Sequence, residues 1–137
     1  MRVEIEKINW TDFSWAGEVS EEIAALIGWM PRLDEFWDSK GRTDFCIWTS
    51  RNEPRFDPFN DLNHAMLAAN RLIDIRRVPF ALERHPDGWW KASFTVTGGS
   101  AWATRDLPQS AICEAILKLG RVPDFRKALN GQRAPSG

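Results

Sequence analysis

An α+β domain, with an antiparallel β-meander packed by helices, is what the sequence predicts, and three observations carry the prediction. Residues 80–105 hold three short runs in which apolar and polar residues alternate with period two, broken by Pro86-Asp87-Gly88 and Gly98-Gly99, the pattern of strands joined by tight turns. A stretch of helical period follows at once, with Pro108 near its start and Gly120 at its end. At 137 residues the chain fits a single domain that buries roughly two thirds of its unfolded surface without disulfide or metal.

Taken in order, residues 1–16 form an arm carrying Val3, Ile5, Ile8, Trp10, Phe13 and Trp15, without sustained periodicity and with room for one edge strand. A first helix is expected over 17–28, since Val19, Ile23, Leu26 and Ile27 share one face. Glu18, Glu21 and Glu22 lie in its first turns, where the helix dipole favours anions, and Gly28 ends it. Residues 30–57 mix charges with aromatics, with a turn at Ser39-Lys40-Gly41 and an extended run from Asp44 to Thr49. So long a connection suggests a functional segment. A second helix is expected over 58–76, with Asp57 as N-cap and Pro58 as its first residue. Leu62, Ala65, Met66, Ala69, Leu72 and Ile73 form its apolar stripe, while Asp61, His64, Asn70, Arg71 and Asp74 face water.

The meander is predicted over 80–84, 89–97 and 100–105. Trp90, Ala92, Phe94 and Val96 share one face of the second strand, and Trp89, Lys91, Ser93, Thr95 and Thr97 the other; Trp102 and Thr104 oppose Ala101 and Ala103. The third helix, 108–119, takes Asp106 as cap with Gln109 three residues on. It buries Ala111, Ile112, Ala115, Ile116 and Leu119. The core thus spans 17–120, and the Arg-, Gly- and Pro-rich tail 121–137, with a little apolar content at Phe125 and Leu129, is expected to be partly frayed.

With 43% hydrophobic and 27% charged residues the composition is that of a globular protein rather than a disordered one. No apolar run is long enough to cross a membrane, and the first residues, MRVEIEKINW, lack the apolar core of a signal peptide. Cys46 and Cys113 lie in apolar runs without CxxC spacing, as buried reduced thiols do. Together these lead to the expectation of a cytoplasmic protein. The net charge of −1 argues against direct nucleic-acid binding, but it is unevenly placed. Residues 1–38 carry nine acids (Glu4, Glu6, Asp12, Glu18, Glu21, Glu22, Asp34, Glu35, Asp38) against three bases (Arg2, Lys7, Arg32), so the chain is electrically two-sided.

Catalytic signatures are absent. The two histidines, His64 and His85, have no second ligand at metal spacing, and no phosphate loop, nucleophile elbow or HExxH helix occurs. No cofactor or metal is expected, and the reading is non-enzymatic. Two groups of residues stand out as binding candidates. Trp10, Trp15, Glu18, Glu21, Glu22, Asp34, Glu35 and Trp37 join aromatic anchors to acidic charge, suited to contact with a protein partner. Trp89, Lys91 and Trp102, with Ser93 and Thr104, share a sheet face that can stack a base or nucleotide if no second layer covers it.

Several stretches also resemble a known family. They are Ile27-Gly28-Trp29, the helix Asp61-Leu-Asn-His-Ala-Met-Leu-Ala-Ala-Asn70, the strands Phe80-Ala-Leu82 and Trp90-Lys-Ala-Ser-Phe94, and above all Ala111-Ile-Cys-Glu-Ala-Ile-Leu117. Over about residues 17–120 these resemble the phage alpha-beta-alpha sandwich domain, a family of small bacteriophage and prophage proteins. The resemblance implies an antiparallel sheet between helices and a phage or prophage origin, with no catalytic residue to carry over. Taken with the small size, the missing catalytic motif and the two-sided charge, the phage-like family leads to the expectation of an anti-defence inhibitor, for example an anti-CRISPR, that contacts a host or defence-system protein or a nucleoprotein complex. A small-ligand binder or nucleotide-binding sponge, using the Trp89, Lys91 and Trp102 face, is the alternative. The arm, residues 30–57 and the tail depart from the family pattern.

Overall fold

The computed structural model of the chain describes residues 3–28, 56–96 and 99–122. Two short 3-10 turns, Ile5–Lys7 and Phe13–Trp15, precede helix α1 (Ala16–Leu26). Helix α2 (Leu62–Arg76), strands β1 (Phe80–Arg84), β2 (Trp90–Val96) and β3 (Gly99–Arg105), and helix α3 (Pro108–Leu119) follow. The strands form one antiparallel sheet in the order β1-β2-β3, the expected α+β meander. The expected segment 30–57, with Asp34, Glu35, Trp37 and Cys46, lies outside the described residues apart from Phe56 and Asp57, as does the tail beyond Val122.

Helix α3 is the centre of the packing. Every residue from Ser110 to Leu117 is buried, so the helix is enclosed nearly all round rather than along one stripe. One side of it receives Ala92 and Phe94 of β2 and Ala101 and Ala103 of β3, and its other side meets α1 and α2. The sheet register sets Phe80 opposite Phe94 and Leu82 opposite Ala92, then Phe94 opposite Ala101 and Ala92 opposite Ala103. Large and small side chains therefore interlock beneath α3, with the Phe80 and Phe94 rings 4.8 Å apart. Because side chains alternate across a strand, the same register sends Lys91, Ser93, Trp102 and Thr104 to the opposite face.

The ends of the elements depart from the sequence reading in instructive ways. Asp57-Pro58 opens a turn, not a helix: the Asp57 carboxylate accepts from the Asn60 backbone N–H at 3.2 Å and from Asn60 Nδ2 at 2.9 Å. Asp61 caps α2 by accepting from the Asn63 N–H at 2.8 Å. Two aspartates four residues apart compete for the cap, and burial of Phe56 and Phe59 in the core favours the later start. His64 does not face open water; its Nδ1 accepts from the Asp57 N–H at 2.8 Å and its ring stacks on Phe56. In α3 the expected cap Asp106 is one residue early. Pro108, whose fixed φ suits the first helical position, makes Leu107 the flanking residue, and Leu107 has no capping side chain. Gly99 pairs with Val96, so it belongs to β3 and not to the turn. Gly28 closes α1 as expected, in the left-handed region at φ 84°.

The arm contains no strand among its described residues. It is pinned instead by a polar clamp. Glu22 on α1 accepts from the Val3 N–H at 2.7 Å with one carboxylate oxygen and pairs with Arg121 Nη1 at 2.6 Å with the other. Arg121 also donates to the carbonyls of Leu117 and Val3. One guanidinium thereby ties together the arm, α1 and the end of α3.

Candidate functional site: the open face of the sheet

Across β1, β2 and β3 the face away from α3 carries Ala81 and Glu83, Lys91, Ser93 and Thr95, and Ser100, Trp102 and Thr104 in adjoining rows. Among the described residues no second layer covers it: Trp102 is 51% exposed, and Ala81, Glu83, Thr95, Ser100 and Thr104 are exposed beside it. Trp102 stands opposite Ser93, and Thr104 opposite Lys91. Trp102 is held in place by its strand more than by burial, and about half of its surface stays in water.

Two ammonium groups attend that ring. Lys91 Nζ is 5.1 Å and Lys118 Nζ 5.8 Å from its centroid. Lys91 comes from the neighbouring strand, whereas Lys118 reaches round the edge of β3 from the last turn of α3. Lys118 is fixed there by two contacts, a hydrogen bond donated to the Trp102 carbonyl at 3.1 Å and an ion pair with Glu114 at 3.2 Å. Glu114 is itself buried, and its other oxygen pairs with Arg105 Nε at 2.6 Å. Arg105 lies over the ring of Trp10, 5.3 Å from its centroid. A chain of alternating charge and aromatic surface thus runs from the core to the open face.

The arrangement sets an exposed stacking surface beside two positive charges. An ammonium over an exposed indole contributes about 0.5–1 kcal/mol, less than the ~1–3 kcal/mol of a stacked base. A ring laid on Trp102 would therefore displace Lys91 from the indole and leave it, beside the tethered Lys118, to meet negative charge. Glu83, opposite Lys91 in the register, limits the positive potential of the face to a small area.

The predicted site residues separate accordingly. Lys91 and Trp102 come together as expected, but Trp89 turns to stack on His85, ring centroids 4.0 Å apart, at the hairpin end of the sheet. Lys118 is not legible as a site residue in the sequence, because periodicity places it on the polar side of α3 without showing its approach to Trp102. Of the acidic and aromatic set, Trp10 is a core residue stacked on Phe59 at 5.5 Å, since the arm folds over that part of the core. Glu22 is only 7% exposed and is occupied by the Arg121 clamp. Neither is available as a surface anchor. Trp15 is half-buried and Glu18 and Glu21 are exposed, next to a Phe13 that is 73% exposed; Asp34, Glu35 and Trp37 lie outside the described residues.

Cys113 is fully buried, and its thiol donates to the Pro58 carbonyl at 3.2 Å. Burial, and then the nearby Asp57 carboxylate, push its pKa well above the ordinary thiol range, so it stays protonated and unreactive. Alkylation of the native protein at pH 8 should leave Cys113 unmodified, with full labelling only after denaturation; peptide mass mapping reads this directly. Asp12, by contrast, has its carboxyl held below the usual range by the Ser14 N–H that it accepts. Among the described residues no three His, Cys, Asp or Glu side chains cluster in a metal-holding group, and no helix is long and apolar enough to cross a membrane. An open depression at the end of α2, lined by Ile73, Asp74, Arg77, Val78 and Pro79, is formed by none of the sheet-face residues. No family model, no curated protein and no solved structure matches the chain.

Proposed function

We propose that this chain is a non-enzymatic binding protein whose contact surface is the open sheet face, and that its ligand is anionic with a flat aromatic ring. The observation that carries this reading is Trp102, half in water on a strand, with two lysine ammonium groups within 6 Å of its ring. In a protein of phage or prophage origin, as the sequence resemblance implies, capture of such a ligand in the bacterial cytosol would serve anti-defence.

The test is a thermal-shift panel of nucleotides, aromatic sulfates and acidic peptides on the native chain and on Trp102→Ala. A ligand that binds only the folded state raises Tm by mass action. One anionic aromatic class should raise the native Tm by several degrees and leave the variant unmoved. Equal shifts in the two proteins, or a flat panel, would overturn the reading.

A second reading rests on Phe13. This ring, 73% exposed and close in sequence to the exposed Glu18 and Glu21 and the half-buried Trp15, suits an inhibitor that docks by protein contact on a basic partner. In that case Phe13→Ala, and not Trp102→Ala, would abolish binding to a host or defence-system protein.

A further inference from the structure

Three features of the sheet face narrow the class of ligand. Among the described residues Trp102 is the one exposed aromatic ring on this face, so there is a platform for a single base. Lys91 and Lys118 flank that ring, and no further cation lies in the rows that the register defines; Glu83 sits beside Lys91 instead. Hydroxyl groups of Ser93 and Thr104 occupy the positions directly across from Trp102 and Lys91, where they can donate to or accept from a sugar or phosphate oxygen.

We propose that the occupant is a single nucleotide, with its base stacked on the Trp102 indole and its phosphate held between the Lys91 and Lys118 ammonium groups. This rests on the reading that the open face is the binding surface. A nucleic-acid strand fits less well, because strand binding uses successive stacking rings along a cationic groove. Here a second phosphate along β2 and β1 would approach the Glu83 carboxylate. Lys118 supplies the fixed charge, since Glu114 and the Trp102 carbonyl hold it, and Lys91 supplies the mobile one. An acidic peptide would satisfy the two lysines but leave the indole surface uncovered.

Calorimetric titration of the full chain with AMP, adenosine, inorganic phosphate and a ten-residue oligonucleotide of dA tests the assignment. AMP should bind at least tenfold more tightly than adenosine and than inorganic phosphate, since each of the latter fills half of the site. Trp102→Ala and Lys118→Gln should each weaken AMP at least tenfold while circular dichroism shows the fold retained. Lys118→Gln should also erase the preference for AMP over adenosine, which a merely structural role would leave intact. Equal affinity for AMP and adenosine would overturn the phosphate site, and an oligonucleotide bound a hundredfold more tightly than AMP would overturn the single-nucleotide assignment. Failure of every nucleotide, with an aromatic sulfate still bound in a Trp102-dependent way, would overturn this inference and leave the binding face standing. Binding unchanged in Trp102→Ala would remove both.

Discussion

Glu22→Ala is expected to cost about 3 kcal/mol of folding stability, the lower end of the penalty for removing one partner of a buried pair, because the Arg121 side chain keeps 24% of its surface exposed. The carboxylate is almost wholly buried and accepts from two groups that are 99 and 19 residues away in sequence, Arg121 and Val3. Without it the guanidinium loses its ion pair and the Val3 N–H loses its acceptor. For a chain of this size the loss should appear as a fall in Tm on the order of 10 °C or more. A double-mutant cycle with Arg121→Ala separates the clamp from simple loss of packing. The double variant should be less destabilised than the sum of the singles by at least about 1 kcal/mol; strict additivity would show that the pair is not coupled. Urea unfolding at two wavelengths provides the measurement.

The second large effect compares the two faces of the sheet. Phe94→Ala should cost about 3–5 kcal/mol, because the ring is fully buried against α3 and Phe80 and its removal leaves a cavity. Trp102→Ala, eight residues on and facing the other way, removes a larger side chain. It should nevertheless cost no more than about 1 kcal/mol, the scale of its exposed cation–π contacts. A Trp102→Ala loss comparable with that of Phe94→Ala in the same urea series would mean that the indole is packed under another layer, and the open face would not exist as described.

How much of this could be read from the sequence depends on which force set each feature. The strands and α3 were legible because period-two and period-3.6 patterns report burial directly; β1 and α3 coincide with their expected bounds. The division of β2 into an inward face with Phe94 and an outward face with Lys91 followed from parity alone. What failed was whatever depended on contacts distant in sequence. Glu22 sits among glutamates at a helix start and reads as a solvated acid, and only the return of Arg121 to that spot makes it a buried anchor. Trp10 reads as an exposed aromatic anchor until Phe59 and Arg105 are seen to enclose it. The start of α2 was misplaced because Asp57-Pro58 and Asp61 are both good local caps, and the choice is made by aromatic burial. On the candidate site, Lys91 and Trp102 could be paired from strand register. Lys118 could not, since its approach depends on how α3 crosses the sheet edge.

The most direct measurement of the central claim is a nitrogen-15 NMR titration of the full chain with AMP, following the indole Nε1–H of Trp102 and the amides of Lys91, Ser93 and Thr104. Saturable shifts confined to these rows and to Lys118, with Glu18, Glu21 and the core around Cys113 unmoved, are the predicted result. Shifts centred on Phe13, Glu18 and Glu21, or none on the sheet at saturating ligand, would contradict the assignment of the open face as the binding surface.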